Sequence, residues 1–148
     1  MSKYNELMKS NYFALKNNTC ENELRNIVSS VLAYDDVQIF SRVKDEKQTY
    51  AIGCASNVLG IYDKDKGHPD MGTLYRKLQE IVAPDDAIIL FAAGNDGLDY
   101  VTGSFTCITA NDIKYVDMEK LAVKTAANML DNPEYGTECS YYITADEV

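Results

Sequence analysis

The 148-residue sequence holds one histidine, His68. General acid–base chemistry must therefore run through carboxylates, or through this imidazole paired with a thiol. Cys54 lies nearby in sequence, and a thiol becomes a nucleophile at neutral pH only beside a base or a cation. A Cys54–His68 dyad is one arrangement to test. The plainer reading is a solvated loop histidine and a core-facing strand cysteine, because no motif brackets either residue. Asp63, Asp65 and Asp70 add three carboxylates within eight residues. Calcium favours such clusters. However, the EF-hand pattern breaks at Gly67, Pro69 and Leu74, and Lys64 and Lys66 oppose a cation. The plain reading of 63–70 is a solvated polar loop, and neither a metal nor a cofactor is expected.

Gly94-Asn95-Asp96-Gly97-Leu98-Asp99 looks like one copy of a calcium-binding glycine–aspartate repeat, but such sites need stacked copies. A hairpin turn fits better, since Asn, Asp and Gly supply left-handed backbone. There is no phosphate-cradling loop, no Gly-x-Gly-x-x-Gly and no Gly-x-Ser-x-Gly elbow. Cys20, Cys54, Cys107 and Cys139 form no Cys-x-x-Cys pair. They read as reduced structural thiols rather than a zinc site or a disulfide framework.

Charge is the most informative bulk property. The net is −9, yet residues 1–77 carry 11 Lys/Arg against 10 Asp/Glu, while residues 78–148 carry 3 against 13. No Lys or Arg occurs between Leu78 and Ile113. Phosphate contacts need cations, so direct nucleic-acid binding is not expected, nor is binding to anionic membranes. An acidic half does suit a basic protein surface, through an attraction that salt weakens. The plainer alternative is that the charge only keeps the protein soluble. The strongest candidate surface lies on the stretch without bases. Tyr100, Thr102, Ser104 and Thr106 alternate with Val101, Phe105 and Cys107. The hydroxyl-bearing set is expected outward and the apolar set inward. With Asp96, Asp99 and Asp112 at the flanks, the expected partner-binding residues are Asp96, Asp99, Tyr100, Thr102 and Asp112. An ordinary solvated sheet face is the competing reading.

The elements that must position these residues can be read along the chain. Tyr4, Leu7, Met8, Tyr12 and Leu15 recur at helical spacing, which predicts a helix over 4–16 that either packs on the body or joins a second copy. It marks 1–18 as a detachable segment. A second helix starts at a Thr19 cap, with Leu24, Ile27, Val28, Val31 and Leu32 as its stripe, and ends near Tyr34. Val37–Val43 and Thr49–Ala55 read as a hairpin, and Asn57–Tyr62 as a continuation or a further strand. Asp70 caps a helix that presents Leu74, Leu78, Ile81 and Val82, and Pro84 ends it. Ala87–Val116 reads as a three-stranded meander whose first strand is buried on both faces, with Leu90 and Phe91 inside. Asp117 caps a last helix whose Met118, Leu121, Ala122, Thr125, Ala126 and Met129 form a close-packing face. Ser140–Thr144 reads as a final strand.

These elements predict a single α+β domain over 1–148. An antiparallel sheet, the meander 87–116 plus the hairpin 37–55, is packed by three or four helices. From Glu21 to Leu130 the order is similar to that of roadblock and profilin-like domains, which implies antiparallel sheets often used as dimerising or docking modules. No apolar run approaches membrane-spanning length. Met1–Glu6 shows no basic stretch leading into an apolar one, so a cytoplasmic location is expected. The functional expectation is a non-enzymatic acidic binding protein. It would act as an inhibitor, immunity or counter-defence factor against a protein with a basic surface, and a homo-oligomer is compatible with the first stripe. The alternatives are a small-molecule, nucleotide-like ligand-binding or sequestering module, and a hydrolase of unknown class using loop 63–70.

Overall fold

The computed structural model describes residues 4–138. Among them the chain is α+β, with three helices and nine strands. The meander forms as expected: β7 (Ile88–Asp96), β8 (Tyr100–Ile108) and β9 (Ile113–Asp117) pair antiparallel in unbroken register. The β7–β8 turn closes through the Asp99 amide on the Asp96 carbonyl, and Gly97 takes the left-handed conformation there at φ 57°.

The first element departs from expectation. Tyr4–Ser10 is a strand, β1, and not a helix. It lies antiparallel to β7 along its whole length and meets β4 (Lys47–Cys54) on its other side; β3 (Gln38–Lys44) pairs outside β4. The six-stranded order is β3-β4-β1-β7-β8-β9. The segment therefore sits in mid-sheet and is not a detachable helix. The physical reason is the slot between β4 and β7, which satisfies backbone groups on both sides of β1. Short propensity signals yield to such tertiary pairing. Met8 and Ser10 turn into the core, while Leu7 points outward. Asn11 ends the strand by joining it to β7: its Oδ1 accepts from the Ile89 amide at 2.8 Å and its Nδ2 donates to the Ala87 carbonyl at 3.0 Å. Phe13, fully buried, then exchanges two backbone hydrogen bonds with Tyr50.

A second, three-stranded sheet holds β2 (Val31–Ala33), β5 (Val58–Asp63) and β6 (His68–Asp70) in the order β2-β5-β6. It shortens two predicted elements. Helix α1 (Cys20–Ser30) stops before Tyr34 because Val31–Ala33 pairs with β5. Loop 63–70 loses its last three residues to β6. Thr19 precedes α1 without capping it; its hydroxyl donates to Asn17 Oδ1. Helix α2 (Met71–Gln79) is capped by Asp70 as expected, the carboxylate accepting from the Thr73 amide. Leu24 of α1, Leu74 and Leu78 of α2, and Ile52, Ile88 and Ile108 of the sheet are all at most 1% exposed. They form one core with Phe13.

That core lies against one face of the large sheet only, which corrects two further expectations. Ile88 and Leu90 are buried, whereas Phe91 is 48% exposed. On β8 the phase is the reverse of the prediction: Thr106 is buried and Val101 is 55% exposed. Register explains this. Ile108 faces Ile88 and Thr106 faces Leu90, so the hydroxyl-bearing set follows the buried side of β7 inward. A shift of one residue exchanges every side chain between faces, and β-favouring threonines give no clear sign of which set is polar.

Helix α3 (Met118–Met129) starts at β9 with Asp117 as its cap, the carboxylate accepting from the Lys120 amide. Its expected packing face is not packed. Met118, Leu121 and Met129 are 46%, 47% and 82% exposed, and Ala127 is its one buried residue. The predicted strand Ser140–Thr144, and Cys139, lie outside the described residues.

Candidate docking surface

The expected partner-binding residues fall into two separate places. Asp96, Asp99, Tyr100 and Thr102 share the β7–β8 hairpin end. Asp112 lies in the β8–β9 turn, beyond the far end of β8, so a strand of nine residues separates it from the others. At about 3.4 Å per residue that is roughly 27 Å or more. Within the hairpin the residues also divide. Tyr100 and Thr102 take the core-side positions of β8, and Val101 takes the outward side. At the tip, Leu98 stands fully in solvent between Asp96 and Asp99. Asn95 Nδ2 donates to the Gly97 carbonyl and braces the turn.

The tip adjoins a surface that sequence reasoning missed. On the outward face of the large sheet, Leu7, Phe40, Phe91 and Val101 are between 38% and 55% exposed. Phe91 leans on Phe105, with ring centroids 6.4 Å apart. The strand positions on this face carry Lys9, Arg42, Lys44, Lys47 and Lys114 and not one carboxylate. Lys9 Nζ lies 4.5 Å from the Phe40 ring centroid, and the Arg42 guanidinium 4.2 Å from that of Tyr12. Cations so placed gain from the ring quadrupole. In a chain of net charge −9 this is an inverted patch: apolar in the middle, cationic at the β3–β4 edge and acidic at the hairpin tip. The signal was present in the alternation of β1 and β7, but reading it needed the phase that only pairing sets.

The residues weighed for catalysis serve local structure. Cys54 is buried, with Sγ 3.4 Å from the Asp35 carbonyl and 3.3 Å from Ser56 Oγ. His68 sits on the small sheet, exposed, its Nδ1 2.8 Å from the Pro69 carbonyl. Asp63 accepts from the amides of Asp65 and Lys66. Asp70 pairs with Lys66 at 3.2 Å and Arg76 at 3.7 Å while capping α2. No group of three metal-ligating side chains occurs among the described residues.

Both aspartates titrate below the usual carboxylate range. For Asp70 the largest cause is its bond to Lys66, and the Thr73 hydroxyl and amide add to it against partial desolvation. For Asp63 desolvation is the largest single influence and acts upward, but the bonds from the Lys66 and Asp65 amides and the Thr73 hydroxyl together outweigh it. A folded-state pKa below the unfolded one gives stability that is present above the unfolded pKa and lost as pH falls through the folded one. Acid titration of the melting temperature will therefore show a falling limb below about pH 4. Asp70→Asn will flatten that limb and lower the neutral-pH melting temperature by a few degrees. An unchanged limb in the variant would remove the assignment.

A small cleft of about 60 Å³ lies between the sheet and α2, lined by Glu6, Ser56, Tyr75 and Ser104 among others. That is room for about two waters. Comparison of the chain with family models, with curated proteins and with solved structures gave no match. No helix among the described residues is long and apolar enough to cross a membrane.

Proposed function

We propose that the chain is a binding protein of the inhibitor, immunity or counter-defence kind, which docks a basic protein surface through the β7–β8 hairpin tip. One observation carries the reading: Leu98 is held fully in solvent between Asp96 and Asp99 on a closed, braced turn. An apolar side chain on a rigid projection loses little entropy on binding. Flanking carboxylates supply steering and register toward cations. The stretch Leu78–Ile113 brings no Lys or Arg of its own to the hairpin. The roadblock- and profilin-like order expected from Glu21 to Leu130 lends no support, because five strands and not two stand between α1 and α2. The cleft beside α2 is too small for a nucleotide-like ligand, whereas the hollow of about 620 Å³ between α3 and residues 133–137 is of ligand-pocket size, so the hairpin tip and not cavity volume carries the reading.

The test begins with a photo-cross-linking residue at position 98, and at exposed Leu59 as a control, in the cell that makes the protein. A basic protein trapped from position 98 alone is then titrated in rising salt. Affinity will fall with salt. Leu98→Ala will weaken it about tenfold or more, and Asp96→Asn with Asp99→Asn will reduce the salt dependence. Equal trapping from both positions, or an affinity indifferent to salt, would count against the reading.

A further inference from the structure

We propose that two copies of this chain associate about a two-fold axis, the α3 stripe of each covering the outward sheet face of the other. The inference is independent of the hairpin-tip reading. It starts from two apolar surfaces that the described residues leave uncovered. The first is the α3 stripe: Met118, Leu121 and Met129 recur on one side of the helix, all strongly exposed. The second is the sheet face centred on Leu7 and Phe91. Helix α3 sets out over that same face, since Met118 Sδ lies 3.1 Å from where a Cβ on Gly103 would be. After that first contact the stripe stays exposed among the described residues, Leu121 at 47% and Met129 at 82%. Scattered exposed apolar residues are ordinary, but contiguous ones mark contact surfaces.

Charge selects the occupant. At the β3–β4 edge the outward strand positions Arg42, Lys44 and Lys47 are cationic, and the carboxylates there are those of the Asp45-Glu46 turn between the two strands. Residues 117–138, the helix and its tail, carry five carboxylates and two lysines. The helix body holds Glu119 against Lys120 and Lys124, so this negative charge lies on the Asp117 cap and on Asp131, Glu134 and Glu138 of the tail. Helix and tail of a second copy together bring apolar side chains to the apolar centre and carboxylates to the cationic edge. A two-fold axis makes both contacts twice, because an isologous interface pairs surface i with j and j with i. The same geometry leaves the carboxylates of the hairpin tip at the rim.

The full chain is examined by light scattering and sedimentation at micromolar concentration, and twice the chain mass is expected. Two variants at exposed positions probe the two surfaces: Phe91→Asp on the sheet and Met129→Asp on the helix. Each will keep the far-UV spectrum and raise the dimer dissociation constant by about 30-fold or more. Mixing the two will restore part of the affinity, because the intact helix of one fits the intact sheet face of the other. A monomeric full chain overturns the proposal. So does a dimer that Met129→Asp leaves unchanged, since that is sheet-to-sheet stacking. A monomer that binds a labelled single-stranded oligonucleotide, and loses it on Arg42→Glu, likewise overturns it in favour of a nucleic-acid face.

Discussion

A chain that starts at Asn18 will not fold: its far-UV spectrum will lack a cooperative thermal transition that the full chain shows. The expectation follows from the position of β1. It lies between β4 and β7, so its loss splits a six-stranded sheet into a hairpin and a meander. Two-stranded hairpins are marginal in water. The segment after β1 carries as much weight. Phe13 is fully buried and joined to Tyr50 by two backbone bonds, Ala14 donates its amide to Asp86 at 2.8 Å, and Leu15 bridges to Val82. Phe13→Ala alone will cost about 3–5 kcal/mol, against a typical domain stability of about 5–15 kcal/mol. Asn11→Ala leaves the Ile89 amide of β7 and the Ala87 carbonyl just before it without their side-chain partner and will cost about 1–3 kcal/mol. Denaturant melts of the two point variants give these numbers. A truncated chain with a cooperative transition near that of the full chain would show that the segment is an accessory after all.

The elements that were legible share a trait: their signals are local. Asp70 before an apolar stripe and Asp117 before another both act as the caps they resemble, and each carboxylate meets the amide three residues on. The turn at 96–99 follows from Gly97 and its neighbours. What misled is what depends on partners far away in sequence. Leu7, Met8, Tyr12 and Leu15 satisfy helical spacing, but Leu7 and Met8 also alternate, and only the slot beside β7 decides. Val31-Leu32-Ala33 continues an α1 stripe on paper; pairing with β5 claims it instead. The candidate site suffered from the same cause. Asp96 and Asp112 flank one strand in sequence, but they mark its opposite ends in space. The phase of β8 was set by Ile88 and Leu90 across the ladder rather than by the polarity of its own threonines.

Gly60→Ala adds one methyl group and removes no atom, yet will lower stability by about 3–5 kcal/mol. Gly60 lies in β5 at φ 110°, a conformation that costs an L residue about 1–3 kcal/mol. Space is short as well. A Cβ there would lie 2.7 Å from the Met71 amide nitrogen and closer still to the Asp70 carbonyl. Those are backbone atoms at the cap of α2, so no rotamer change relieves the clash, and overpacking of this kind adds about 1–3 kcal/mol. To admit the methyl group, the first turn of α2 must move off β5. That movement disturbs the Asp70–Thr73 cap and the seating of Leu74 and Leu78, both fully buried. Gly67 is the control. It too has positive φ, at 76°, but nothing lies within 4 Å of its Cβ position. Gly67→Ala will therefore pay only the conformational cost. Denaturant melts of both variants separate strain from crowding. Equal losses at the two positions would mean that the close approach of β5 to α2 contributes nothing, and that small-sheet and helix are not packed as described.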